Sequence, residues 1–165
     1  MRQLSLNHNL VLFEETITNV KAIESYIRKE NKKGKVALVV IDYLQLLSGS
    51  PNKSAYENIS ENSRALKLMA KKYNVAIIAL SQLNRVTEGK QDKRPSMAEI
   101  KGSGSIEADA NKILLLYRDD YYDRGNTDIT VPVEVDVAKS REGGNGVVKF
   151  TFNKATGRFS EMEEE

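Results

Sequence analysis

The feature that most constrains the fold is a run of seven residues, Val36–Asp42, that is apolar except for its final aspartate. An unbroken apolar run of this length favours a strand buried on both faces, as in a parallel sheet covered by helices. Two further runs, Val75–Leu80 and Ile113–Tyr117, have a similar character. A strong helical pattern from Ser54 to Tyr73 separates the first two runs. This alternation predicts an α/β domain with a mostly parallel sheet flanked by helices.

The two ends of the chain add further elements to this prediction. Near the start, Leu10–Phe13 is interpreted as a short strand, followed by a helix capped by Thr16 or Thr18. Toward the C-terminus, apolar residues recur at every second position on both sides of a glycine-rich segment, Gly143–Gly146. These alternating residues are Val131, Val133, Val135, Val137, Val148, Phe150 and Phe152. Such alternation predicts a C-terminal antiparallel hairpin.

Composition bounds the class of protein. A length of 165 residues predicts one domain, with a core over residues 10–159 and an acidic tail over residues 160–165. The formal net charge is +2, and because four of the last five residues are glutamates, the remainder is modestly basic. The chain has no cysteine and a single histidine, His8, which excludes a disulfide framework, a thiolate metal site and a His-based triad. No apolar run is long enough to span a membrane and no secretory leader is evident. The absence of cysteine fits the cytoplasmic location that we expect.

Polar side chains close the first two predicted strands. Asp42 stands where its strand leaves the core, the edge at which open α/β sheets place ligands. A carboxylate there can hold a metal ion and bound phosphates, but strands also end at an acid simply because the chain turns into solvent. Gln82 stands at the corresponding end of the next strand, where a neutral amide could orient a phosphate or a water molecule. We therefore expect the two side chains to lie side by side.

Two other segments could contact anions. Lys139 and Arg141 flank Ser140 at the start of the hairpin turn, and alternation predicts that both point to the same side. They could contact phosphate, or they could be exposed cations that deter edge-to-edge aggregation. A second segment offers unobstructed main-chain N–H groups before a short helix, and its residues are Lys101, Gly102, Ser103, Gly104 and Ser105. The alternative for this segment is a plain turn between helices.

The sequence contains no phosphate loop. That motif requires a leading glycine, four residues and then Gly-Lys-Ser/Thr. The two Gly-Lys pairs, at positions 34–35 and 89–90, lack both the leading glycine and the hydroxyl residue that should follow. We therefore expect that the chain alone does not bind a nucleotide in the usual way.

Five short segments, taken in order, carry a resemblance to a known family. They are VIDYLQL at 40–46, ALSQLNR at 79–85, KRP at 93–95, GSGSIEADA at 102–110 and KSREG at 139–143. Together they resemble the C-terminal motor domain of DnaB-type replicative DNA helicases, which belong to the RecA-like superfamily. The order and spacing agree from about Leu10 to Phe159, and this agreement is far more specific than any single aspartate-ended strand.

The resemblance implies a role for each matching position. Asp42 is similar to the acid that organises Mg²⁺, and Gln82 to the sensor that couples the γ-phosphate of ATP to DNA binding. The Lys101–Ser105 segment is similar to the loop that grips the backbone of single-stranded DNA. Lys139 and Arg141 are similar to the pair inserted into the ATP site of a neighbouring subunit, with Arg141 as the arginine finger. The implied assembly is a hexameric ring of identical or related subunits, with primase and a helicase loader as partners.

The chain also departs from the family pattern. It lacks the primase-interacting domain, the linker helix, the phosphate loop and the strand that carries the catalytic glutamate, and Lys101 stands where many relatives have arginine. The expected protein is therefore the second half of a motor domain without ATPase activity of its own. Two alternatives are a RadA-like recombination ATPase fragment, against which the Gly102–Glu107 sequence argues, and a non-enzymatic protein that binds helicases or single strands.

Overall fold

The computed structural model describes residues 10–13, 19–84, 91–123 and 125–162. The described residues form the helices α1 (Val20–Asn31), α2 (Ala55–Tyr73) and α3 (Ser103–Asp109). They also form the strands β1 (Leu38–Ile41), β2 (Ala76–Ala79), β3 (Lys112–Tyr117), β4 (Thr130–Ser140), β5 (Gly146–Asn153) and β6 (Arg158–Glu161). Short 3₁₀ helices cover Leu44–Leu46, Met97–Glu99 and Asp119–Tyr121. None of these helices is long and apolar enough to cross a membrane. The chain divides into two compact units, Met1–Leu80 and Ser81–Glu165.

The first unit contains a parallel pair of strands, as the apolar runs predicted. β1 pairs with β2 in a register that places Leu38 opposite Ala76 and Ile41 opposite Ala79. The C-terminal ends of both strands consequently meet at one edge of the sheet. Asp42 is the first residue beyond β1 at that edge.

Local capping explains where the two long helices begin and where α2 ends. Asn19 caps α1 by accepting a hydrogen bond from the N–H of Ala22 at 2.9 Å, whereas the predicted caps Thr16 and Thr18 lie outside the described residues. α2 begins with a reciprocal capping box between Ser54 and Glu57, in which each side chain bonds the other residue's main chain. α2 ends at Asn74, whose φ of 49° is left-handed, a conformation that asparagine tolerates better than most residues.

The prediction of a strand at Leu10–Phe13 is wrong. These residues form no strand, and their side chains are 42–58% exposed. The ring of Phe13 instead lies 4.3 Å from the ring of Tyr26 in α1, measured between centroids. A run of four apolar residues is too short to distinguish a strand from a segment that packs on a helix.

The second unit contains an antiparallel sheet in the order β3-β4-β5-β6. The predicted hairpin is confirmed, with Val131 opposite Phe152 and Val133 opposite Phe150. β6 was not predicted, and it extends the sheet into residues assigned to the acidic tail. Its Phe159 pairs with Phe152, with the ring centroids 4.7 Å apart.

The third predicted strand is present as β3, but its pairing differs from the prediction. It pairs antiparallel with β4 and not with a parallel neighbour, so parallel pairing in the described residues is confined to β1 and β2. Its burial alternates, with Ile113 and Leu115 buried and Leu114 and Leu116 52% and 63% exposed. A continuous apolar run conceals such alternation, because the exposed positions are apolar too. The α/β class itself is confirmed.

The core of the second unit positions the segments of interest. Ile100, Ile113 and Leu115 form a buried cluster. Partly buried side chains from the surrounding segments pack against this cluster, namely those of Leu83, Met97, Ile106, Ala110 and Ala138. One small core is therefore shared by four segments, namely the residues near Gln82, the Met97–Glu99 turn, α3 and the end of β4.

Candidate functional site

Asp42 lies in the first unit, on a main-chain segment that hydrogen bonds hold in place. Ile41 before it and Leu44 after it are both buried, whereas Asp42 is exposed, and the Asp42–Tyr43 peptide bond is cis. The N–H of Leu44 donates to the carbonyl of Leu80 at 2.9 Å. From α2, Asn62 Nδ2 donates to the carbonyl of Leu47 at 3.1 Å. The chain on both sides of the carboxylate is thus fixed to the sheet and to α2.

The environment of Asp42 suits a Mg²⁺ ion that is bound largely by water and phosphate, rather than an ion enclosed entirely by protein ligands. The described residues contain no group of three His, Cys, Asp or Glu side chains that could hold a metal ion together. Mg²⁺ usually keeps several waters and binds through one or two carboxylates plus the phosphates of a substrate. Asp42, as one exposed carboxylate at a strand end, suits that mode of binding.

Gln82 is joined through its main chain to the segment that precedes α3. Its carbonyl accepts from the N–H of Lys101 at 3.3 Å, and the N–H of Asn84 donates to the carbonyl of Glu99 at 2.7 Å. Between them, Leu83 and Ile100 form an antiparallel bridge. Gln82 and Lys101 are consequently brought together. Asp42 belongs to the first unit and Gln82 to the second, and their side-by-side placement stays a prediction.

The Lys101–Ser105 segment is the beginning of a helix and not an interruption between two helices. Gly102 has a φ of 85°, a left-handed conformation that favours glycine, and α3 begins immediately after it at Ser103. The first N–H groups of a helix have no acceptor within the helix, and in α3 these include the N–H groups of Ser103 and Gly104. Gly104 is also exposed. Main-chain donors of this kind suit an anion without reading its identity.

Lys139 and Arg141 point to the same side, as alternation predicted. Lys139 Nζ donates to the carbonyl of Glu107. Arg141 Nη2 donates to the carbonyl of the next residue, Ala108, at 2.5 Å. Both acceptors belong to the last turn of α3. The two cations therefore contact the helix that begins with the Lys101–Ser105 segment, a contact that the sequence analysis did not predict.

Arg94 is a residue whose contacts the sequence analysis missed, although it lies within a matching segment. Its guanidinium donates to both carboxylate oxygens of Glu134 in β4, at 2.7 and 2.9 Å, and these bonds hold the pKa of Glu134 below its ordinary value. The same guanidinium lies 4.9 Å from the centre of the Tyr117 ring. The hydroxyl of Tyr117 donates to Asp119 at 2.5 Å, which together with burial raises the pKa of Tyr117 to about 12. No local signal marks these partners, because Arg94 and Glu134 are 40 residues apart.

Solved structures with this fold define the class of protein. One of them is a DnaB-like replicative helicase that was solved in connection with its interactions with primase. The chain aligns with it with a TM-score of 0.83 and 44% identity, and the alignment covers 92% of this chain and 37% of that one. With a second solved structure, that of an ATPase domain, the TM-score is 0.80 and the identity 45%, covering 88% of this chain and 52% of that one. The fold is that of the RecA-like ATPase domains of DnaB-like helicases.

Sequence comparison identifies the family. Residues 1–161 match the family model of the DnaB-like helicase C terminal domain, and the chain belongs to this family. The replicative DNA helicase DnaB of Geobacillus stearothermophilus is 39% identical over 162 residues, which are 96% of this chain and 36% of that protein. The replicative DNA helicase DnaC of Bacillus subtilis (strain 168) gives the same three percentages. The chain thus spans about a third of the length of these curated relatives. The resemblance drawn from the five segments is confirmed.

Proposed function

We propose that this chain is part of an ATP-dependent replicative DNA helicase that moves along one DNA strand and unwinds the duplex. Family membership over residues 1–161 supports the proposal. The observation that carries it is the main-chain bond between Gln82 and Lys101, which links a strand-end amide to the start of α3. A change at the Gln82 side chain can reach the α3 segment through this hydrogen bond and the neighbouring Leu83–Ile100 bridge.

The proposed nucleotide roles are those that the family resemblance implies for the matching positions. Asp42 holds Mg²⁺ through its exposed carboxylate, and Gln82 contacts the γ-phosphate with its neutral amide. ATP, when bound, supplies the phosphoryl group, and Mg²⁺ neutralises charge on it. Lys139 and Arg141 act on the nucleotide of a neighbouring subunit, with Arg141 as the arginine finger. Residues that act across an interface require an assembly, so we place the chain in a hexameric ring of identical or related subunits.

Single-stranded DNA is the proposed polymer substrate. The Lys101–Ser105 segment contacts the phosphate backbone through main-chain N–H groups, Lys101 adds a positive charge, and neither contact reads the base sequence. Primase and a helicase loader are proposed as further partners, in the cytoplasm. Support for primase comes from the DnaB-like relative that was solved in connection with its primase interactions.

A chimera tests the proposal. This chain would replace the matching 36% of the Geobacillus stearothermophilus helicase, and the product would be checked for hexamers by gel filtration. We expect ATP hydrolysis and duplex unwinding. Arg141→Ala should lower ATP turnover by about 10³-fold while nucleotide binding persists, because the finger acts on the transition state. Arg158→Ala, which removes an exposed cation from β6, is the matched control. Normal turnover in Arg141→Ala would exclude the finger assignment.

A second candidate function is a non-enzymatic protein that joins helicase subunits or binds single strands weakly. One face of the β1–β2 sheet favours it, because Leu38, Val40 and Ile78 on that face are 50–59% exposed. Such a face can associate with another protein. This candidate predicts that the isolated chain inhibits an intact relative's unwinding when the two are mixed.

A further inference from the structure

α3 is a short helix held at both of its ends. It spans seven residues, which is about two turns and too few to be stable without tertiary contacts. At its start, Lys101 is bonded to the carbonyl of Gln82. At its end, Lys139 and Arg141 donate to the carbonyls of Glu107 and Ala108. Ile106 packs against the buried cluster between these two attachments.

The attachment at the C-terminal end is electrostatically favourable. The last carbonyls of a helix have no donor within the helix and carry its partial negative charge. Lys139 and Arg141 supply charged donors to two consecutive carbonyls of this kind. Cations near the end of a helix stabilise it, and hydrogen bonds from charged donors are stronger than neutral ones. The two side chains therefore support the C-terminal end of α3.

On the function proposed above, the same two cations also serve the nucleotide of a neighbouring subunit. An ammonium or guanidinium group that hydrogen-bonds a phosphate in another subunit has fewer N–H donors left for a carbonyl in its own subunit. Its side chain must also point in a different direction. Phosphate is the stronger acceptor, because it carries full negative charge. The two engagements therefore compete.

We propose that Lys139 and Arg141 are positioning residues for α3 in their own subunit, and that phosphate in the neighbouring site withdraws them from it. This proposal rests on the proposed function for the identity of the phosphate and of the DNA. α3 then responds to two nucleotides. Its start follows the subunit's own site through Gln82, and its end follows the next site through Lys139 and Arg141. The grip on the DNA strand at Lys101–Ser105 changes with both.

Amide hydrogen exchange in the isolated chain tests the positioning role. The test variant is Lys139→Gln/Arg141→Gln, and the control is Lys149→Gln/Arg158→Gln, which removes the same charge from exposed positions on β5 and β6. We expect α3 amides, measured by NMR, to exchange roughly tenfold faster in the test variant and at the unaltered rate in the control. The exchange of Lys139→Arg/Arg141→Lys, which keeps both donors, should stay near that of the unaltered chain. Equal exchange in the test and control variants would overturn the proposal.

Inorganic tripolyphosphate tests the withdrawal. Added to the unaltered chain, it should accelerate exchange of the amides in the last turn of α3, and it should not accelerate their exchange in Lys139→Gln/Arg141→Gln. A purely structural role for the pair would not give this response. Absence of any effect on the unaltered chain at the highest concentration reached would overturn withdrawal by phosphate.

DNA binding completes the test. The affinity for fluorescein-labelled oligothymidylate, measured by anisotropy, should be about fivefold weaker for Lys139→Gln/Arg141→Gln than for the charge-matched control. Equal affinities would overturn the link between the basic pair and DNA. Failure of the proposed helicase function would be seen separately, as normal turnover of the Arg141→Ala chimera. The exchange measurements do not depend on that result.

Discussion

Replacing Asn62 by leucine should destabilise the segment that follows Asp42. Asn62 lies in α2, is 7% exposed, and donates from Nδ2 to the carbonyl of Leu47 at 3.1 Å. Leu47, 8% exposed, follows the short 3₁₀ helix that begins two residues after Asp42. Leucine has a similar volume but no donor, so the substitution removes the hydrogen bond without opening a large cavity.

The expected magnitude follows from the burial of both groups. A buried carbonyl that loses its donor costs about 1–3 kcal/mol, and the added apolar side chain offsets less than about 1 kcal/mol of this. We expect the free energy of unfolding to fall by about 1–2.5 kcal/mol. For a chain of this size, that corresponds to a decrease in Tm of roughly 2–10 °C.

Urea unfolding followed by far-ultraviolet circular dichroism would measure the change. The matched control is Leu68→Ala on the same helix, where the side chain is 55% exposed and the effect should stay within about 0.5 kcal/mol. Asn62→Asp, which keeps the shape but turns the donor into an acceptor, should cost at least as much as leucine. If Asn62→Leu were no more destabilising than Leu68→Ala, the hydrogen bond would not hold this segment.

Two further expectations concern nucleotide and pH. The isolated chain should bind ATP more weakly than the micromolar range, because its sequence contains no phosphate loop, and a micromolar Kd in titration calorimetry would contradict this. Arg94 lowers the pKa of Glu134, so the ion pair's contribution is present above the ordinary pKa of 4.5 and disappears as pH falls through the lower folded value. Arg94→Gln should therefore reduce the acid sensitivity of the urea midpoint in that range, with Arg158→Gln as the control. Identical acid profiles for the two variants would show that the pair is not the cause.

The elements that could be predicted from the sequence are those with local signals. α2 was predicted almost to the residue, because the spacing of its apolar residues lies within the helix itself. The β4–β5 hairpin was predicted because valine and phenylalanine alternate on both sides of a glycine-rich turn. The five segments that identified the family are also local signals. Each consists of consecutive residues, and their order is read from the sequence without knowledge of any contact.

The features that escaped prediction depend on partners that are distant in the sequence. The antiparallel pairing of β3 requires β4, and the run Ile113–Tyr117 gives no sign of which neighbour it will choose. Arg94 lies within a matching segment, but its role as a partner of Glu134 could not be read from either residue. Likewise, the residue types at Lys139 and Arg141 indicated an anion contact, while the structure shows them on the carbonyls of α3. Residue type suggested the chemistry, and only the fold supplied the acceptor.

The exposed face of the β1–β2 sheet has a practical consequence for experiments with this chain. Leu38, Val40, Ile78 and Leu80 on that face are 43–59% exposed. Sulfate and phosphate salts strengthen the association of apolar surfaces, whereas any monovalent salt weakens contacts with DNA phosphates. In a DNA titration carried out in a sulfate salt, precipitation of the protein and loss of DNA binding would therefore occur together. Chloride or acetate at low protein concentration would separate the two effects, and a solubilising fusion partner would widen the usable range.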